Sequence, residues 1–138
     1  REDEEFLRFV KHVIALRREH TVFRRDTFFT GEASGPEQLK DIAWLRPDGL
    51  EMSQEDWLDP TRQSFGCAFG AAATRRYMLL LNAAPDDVVF RLPAAEGGPW
   101  RSILDTSRSE GGGGAWAERG AVWPLAARAL VLIREATL

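Results

Sequence analysis

The chain of 138 residues has a net charge of −3, with 44% hydrophobic and 28% charged residues. That composition describes one globular domain, large enough to bury about two-thirds of its unfolded surface. It gives no electrostatic reason to expect nucleic acid or an anionic membrane as a partner. The only cysteine is Cys67, which excludes an intrachain disulfide and suits a reducing cytoplasm. No apolar run approaches the ~20 residues needed to span a bilayer, and no signal peptide is visible. The first residue is Arg, inside a helical pattern, so a piece of a longer protein is the expectation.

Residues 3–20 are expected to form an amphipathic helix. Asp3, Glu4 and Glu5 at its start and Arg17, Arg18 and His20 at its end complement the helix dipole. Phe6, Leu7, Phe9, Val10, Val13, Ile14 and Leu16 recur at helical spacing. On a helical wheel they cover roughly 180°, wider than the ~100° stripe of a surface helix, so two packing partners are expected. Arg17 falls in the middle of that arc. An unpaired guanidinium there would be costly, which predicts a carboxylate partner in the later junction: Asp56 or Asp59 first, Asp41 third.

Phe23 to Thr30 reads as an exit turn with a short strand, and 31–38 as a loop. In the stretch from Asp41 to Pro60, Ile42 to Arg46 has strand character and Pro47-Asp48-Gly49 has turn chemistry. Ser53 stands as a helix cap, with Glu55 and Asp56 near the helix N–H groups. Trp44 and Trp57 bracket the segment.

Further on, Ser64 to Gly70 alternates, with Phe65, Cys67 and Phe69 on a bulky inner face and small residues opposite. Tyr77 to Leu81 is continuously apolar, as a central strand would be. Ala84-Pro85-Asp86-Asp87 reads as a hairpin loop, followed by a strand with Val88, Phe90 and Leu92 inward. Trp100 to Asp105 and Ala129 to Ile133 are further strands. Gly111 to Gly114 reads as a mobile, functionally blank tip. The fold class is therefore mainly β: an antiparallel β-sandwich preceded by one amphipathic helix.

The pattern D-I-x-W-L-x-P-D-G-x-E-M-x-x-x-D-W-x-D-P over 41–60 resembles a junction in bacterial glycogen debranching enzymes of the isoamylase type, in the α-amylase superfamily. There it joins the last helix of a catalytic (β/α)8 barrel to a C-terminal β-sandwich. The flanks agree. Val13 to His20 and Phe23-Arg24-Arg25 resemble that helix and its exit. Leu79 to Ala83, Phe90 to Pro93, Leu104 to Thr106 and Ala129 to Leu132 resemble strands of the sandwich. Residues 108–120 match no part of the pattern. The resemblance implies a division into 1–30 (last barrel helix and exit), 31–63 (junction) and 64–138 (accessory sandwich). Arg17, Asp41, Trp44, Asp56, Trp57 and Asp59 would be structural junction residues.

It further implies a parent that hydrolyses α-1,6 branch linkages in glycogen or limit dextrin. Glycosidases need two carboxyl groups flanking the scissile bond. Glu51, Glu55, Asp56 and Asp59 are near one another in sequence, but the family's catalytic motifs have no match in this chain. No catalytic residue, cofactor or metal site is therefore expected. His12 and His20 are eight apart rather than at the i, i+4 spacing of a helical metal site, and Cys67 stands alone and buried. Five tryptophans could stack on glucose rings, but core packing is the default for Trp44, Trp57 and Trp100. Trp116, after the glycine run, is the candidate for glucan contact. The expected partners are the missing barrel, α-glucan through the parent, and a second copy of the chain through helix 3–20. The alternatives are a stand-alone carbohydrate-binding module and an interaction domain.

Overall fold

The computed structural model describes residues 2–35, 38–70, 76–93, 99–118 and 120–136. It begins with α1 (Glu2–Glu19), whose first turn is acidic and whose last turn holds Arg17 and Arg18. The helix ends in a 3₁₀ turn at Thr21–Arg24. Arg24 folds back so that its guanidinium donates to the free carbonyls of Arg17 and Arg18, at 3.1 and 3.0 Å, satisfying acceptors that a helix end leaves open. A minimal ladder of β1 (Ala33–Ser34) and β2 (Leu39–Lys40) follows. Phe23 to Thr30 holds the end of the 3₁₀ turn but no strand.

Strands β3 (Ile42–Leu45), β4 (Ser64–Phe69), β5 (Tyr77–Asn82), β10 (Ala129–Glu135), β7 (Trp100–Asp105) and β8 (Trp116–Ala117) lie in that order in one antiparallel sheet. Strands β6 (Val88–Arg91) and β9 (Val122–Leu125) pair with each other as a separate ribbon. The main core lies between the ribbon and the sheet. Phe90, Leu92, Trp123 and Leu125 meet Ala68, Met78, Leu80, Trp100, Val131 and Ile133 there. Full burial of each larger side chain contributes about 1.5–3 kcal/mol. The antiparallel sandwich with an N-terminal helix is therefore present, and β5, between β4 and β10, is central as its unbroken apolar run predicts.

Three expectations need correction. Ala84 to Asp87 does not close a hairpin, because β6 pairs with β9 rather than with β5. Asn82 holds the crossing, donating to Asp86 O at 2.9 Å and to Ala126 O at 3.1 Å. The bulky residues of β4 do not face the main core. Cys67 and Phe69 join Tyr77 and Leu132 in a second cluster beneath Phe23 and Phe29, while Gly66 and Ala68 face the ribbon, where Leu80 and Phe90 need the space.

The glycine run is likewise a packed element. Gly114 N–H donates to Ser102 O at 2.9 Å, and Ser102 N–H donates to Ala115 O at 2.9 Å. Gly111 is buried against Phe9 and Leu104. The run closes tightly against β7, and α1 rests on it.

Only one face of α1 is engaged. Leu16 is buried and Phe9 and His12 are partly covered, at i, i+3 and i+7, and His12 Nε2 bonds Ile103 O at 2.9 Å. The other face is open: Phe6 is 68% exposed, and Leu7, Val13 and Ile14 are exposed with it.

Candidate interdomain face

The junction is a locally self-bonded unit. Asp41 accepts Thr30 N–H and Gly31 N–H, both at 2.8 Å, with Arg25 at 3.8 Å. These donors, Thr30 N–H foremost, hold its carboxyl below the usual range. β3 then turns at Pro47-Asp48-Gly49, where Arg46 N–H donates to Leu50 O at 2.7 Å and Met52 N–H to Trp44 O at 2.8 Å. The returning segment covers part of an edge that would otherwise present unpaired backbone. The turn is seated on the ribbon, with Arg91 N–H donating to Pro47 O at 2.8 Å. Asp48 accepts from the Arg46 guanidinium and from Leu50 N–H, and its carboxyl is lowered to about 2, chiefly by Arg46.

Helix α2 (Gln54–Leu58) opens on a complete capping box. Ser53 Oγ accepts Asp56 N–H at 3.2 Å, and the Asp56 carboxylate accepts Ser53 N–H at 2.8 Å. Asp56 also takes Arg62 at 3.0 Å and Arg46 at 3.7 Å. The Ser53 N–H is the first cause of its lowered pKa. Asp59 accepts Thr61 Oγ1–H at 2.6 Å and Thr61 N–H at 2.9 Å, and the hydroxyl is the main reason its pKa is low. Lys40 and Glu51 pair at 2.6 Å across the segment.

Asp41, Asp48, Asp56 and Asp59 are thus held ionised as caps and ion-pair partners. None carries the raised pKa that suits a glycosidase general acid. Cys67 is buried, and burial pushes its thiol up to about 11. His12 bonds Ile103 O and His20 Nδ1 bonds Tyr77 OH at 2.6 Å. Among the described residues, no group of three or more metal-ligating side chains converges. Nor is any helix among them long and apolar enough to cross a membrane.

The predicted Arg17 ion pair is absent. Arg17 is exposed, and Asp56 is taken by Arg62 and Arg46, Asp41 by Arg25. Phe9, His12 and Leu16 face the sheet, while Arg17 follows Phe6, Val13 and Ile14 onto the open side. A guanidinium in an apolar arc needs a partner only if that part of the arc is covered. Arg46 and Arg62, the actual partners, were not singled out in the sequence. The Asp-rich helix cap was a signal that basic residues within a few positions of Asp56 could answer it.

The tryptophans divide by face. Trp100 and Trp123 are core residues. Trp44 and Trp57 are not, being 39% and 51% exposed. Their rings meet edge to face at 5.6 Å, each about 6 Å from Phe65. Trp44 sits opposite Cys67 in the β3–β4 register, so this cluster continues the sheet face that carries Phe23 and Phe29. α1 and the aromatic cluster therefore share one side of the molecule. Trp116 is 56% exposed, with the Arg101 guanidinium 5.5 Å from its ring centroid.

Residues 41–132 match the family model described as "Isoamylase, C-terminal". The chain belongs to the isoamylase C-terminal family. Over 95% of its length it is 34% identical to proteins described as "Glycogen operon protein GlgX homolog" from Mycobacterium bovis and Mycobacterium tuberculosis. It spans 20% of the length of those relatives. Among solved structures, a GH30 endoxylanase from Clostridium papyrosolvens aligns over 57% of this chain and 22% of its own, at 14% identity and a TM-score of 0.47. That likeness is too slight to carry an argument. The matched span of the isoamylase C-terminal family starts at Asp41, so α1 and its exit lie outside it while the aromatic junction lies within.

Proposed function

We propose that this chain is the C-terminal region of a glycogen debranching enzyme that hydrolyses α-1,6 branch linkages in glycogen or limit dextrin. In this reading it carries no catalytic group and forms the docking face for a catalytic barrel. Residues 1–30 are the last barrel helix and its exit, 31–63 the junction, and 64–138 the accessory sandwich. The observation that carries the proposal is the open side of α1. Phe6, Leu7, Val13 and Ile14 lie exposed on a helix whose opposite face is already packed. An apolar face of that kind marks a contact surface, and the relatives have four-fifths of their length beyond the matched region.

The test is the full reading frame, expressed whole and as the 138-residue chain, assayed for reducing-sugar release from limit dextrin. The whole product is expected to be active and the chain alone inactive. Activity of the chain alone, lost on replacing Glu51 or Asp56, would overturn the non-catalytic assignment. A second reading, an α-glucan-binding module, is favoured by the exposure of Trp44, Trp57 and Trp116. Saturable maltoheptaose binding tighter than about 100 μM, near 5.5 kcal/mol, followed by tryptophan fluorescence, would support it.

A further inference from the structure

Strands β7 and β10 place two arginines directly opposite each other, Arg101 against Arg134. Strand alternation turns both away from the main core, because their neighbours Trp100 and Ile133 point into it. Like charges facing across an antiparallel pair destabilise the sheet. Neither arginine is in an ion pair among the described residues. Arg134 Nε is also buried without a hydrogen-bond acceptor among the described residues, a state that costs free energy unless something supplies the acceptor.

Both side chains line a cleft of about 330 Å³ between the C-terminal half of α1 and the glycine segment, together with His12, His20 and Glu19. The walls are fixed. His12 bonds Ile103 O, His20 bonds Tyr77 OH, and Gly113 presses so closely on Ser102 O that a Cβ there would lie 2.3 Å away. Arg101 is steadied by the ring of Trp116, at 5.5 Å. Glu19 is the one carboxylate among the lining residues, and it pairs with neither arginine.

We propose that this cleft is a binding site for a small oxyanion of the phosphate class, held by the guanidinium groups of Arg101 and Arg134. Guanidinium forks match the oxygens of such an anion and hydrogen-bond it in pairs. A doubly charged ligand would relieve the Arg–Arg opposition and give Arg134 Nε its acceptor. The volume is at the small end of ligand pockets. It suits free phosphate or a phosphate monoester of a single sugar-sized unit. The site is independent of the debranching assignment, since it uses none of the junction residues.

The test is calorimetry and thermal shift on the 138-residue chain at constant ionic strength, with inorganic phosphate and glucose 6-phosphate as separate probes and chloride as control. Saturable binding with Kd below about 1 mM is expected for at least one probe. Equal affinity for both identifies free phosphate as sufficient, and tighter binding of the sugar ester identifies a monoester site. Arg134→Gln and Arg101→Gln should each weaken binding about tenfold or more. Without anion, Arg134→Gln should melt no lower than the parent, because it removes a like-charge opposition. If that variant fails to fold, the result counts against the proposal, and the exposed Arg101→Gln still reads the affinity. No saturable response to either probe, or undiminished binding in Arg101→Gln, overturns it.

Discussion

Gly111 lies directly beneath the ring of Phe9, so close that a Cβ built on it would stand 2.8 Å from Phe9 Cδ2 and 2.9 Å from Leu104 Cδ1. Its φ of +71° also belongs to the left-handed region. Together with buried Leu16 and the His12–Ile103 bond, this contact seats α1 on the sandwich. Gly111→Ala is therefore expected to destabilise the fold by about 1–3 kcal/mol and to loosen α1 selectively. Gly113→Ala should cost at least as much, because the obstacle there is backbone at 2.3 Å. Gly112→Ala should be close to neutral, with only Ser109 O at 4.0 Å. Urea midpoints rank the three, and hydrogen exchange of α1 amides checks the selectivity. Equal effects from all three substitutions would refute the seat.

Arg17 and Arg62 make a contrasting pair. Arg17 is exposed and carries no ion pair among the described residues, so Arg17→Gln is expected to change stability by less than about 0.5 kcal/mol. Arg62 donates to Asp56 at 3.0 Å beneath the α2 cap. Arg62→Gln should lower the urea midpoint clearly more than Arg17→Gln, and a reversal of that order would contradict the pairing.

The junction aspartates are expected to contribute to the acid limb of stability. Asp41, Asp56 and Asp59 are lowered from 3.8, and Asp48 is lowered to about 2. Their unfolded forms take up protons first as pH falls, so proton uptake favours the unfolded chain. The contribution is fully present above the unfolded value and fades as pH drops through the lower folded values. Unfolding midpoints should hold down to about pH 5 and then decline towards pH 2. Replacing Asp48 with Asn should lower the plateau and shallow the decline. A decline of unchanged steepness in Asp48→Asn would exclude Asp48 from it.

Local signals were legible and long-range choices were not. The apolar run Tyr77 to Leu81, the β4 strand and the Ser53 cap are written in neighbouring residues, and each element formed as expected, although β4 turned its bulky residues to the second cluster. Strand β9 has no counterpart among the sequence expectations, and Pro124 in it is a residue that disfavours a central strand. There it stands outward between buried Trp123 and Leu125, in a two-stranded ribbon where proline is tolerated. The turn at 84–87 looks the same whether the chain returns to its own sheet or crosses to the other. The difference lies in Asn82 reaching Ala126, 44 positions away. For Trp44 and Trp57 core packing was the expectation, and their exposure depends on what covers β3, which no local pattern encodes.

The open face of α1 leads to the last prediction. Phe6, Leu7, Val13 and Ile14 are exposed while Phe9 and Leu16 hold the helix to the sandwich. Each such side chain gains about 1.5–3 kcal/mol on full burial, so an isolated chain has a strong incentive to cover them. In the absence of a catalytic barrel, a second copy is the available cover, and an isologous pairing of two α1 helices lets one stripe bury another. The 138-residue chain is expected to dimerise with rising concentration, as seen by light scattering after size exclusion. Phe6→Ser with Ile14→Ser should restore the monomer and leave the thermal transition of the sandwich intact, because neither residue belongs to its core. Sandwich self-association through the Trp44–Trp57 cluster predicts a different result: the dimer survives the α1 double variant and is lost in Trp57→Ser. A monomer throughout the accessible concentration range would rule out both.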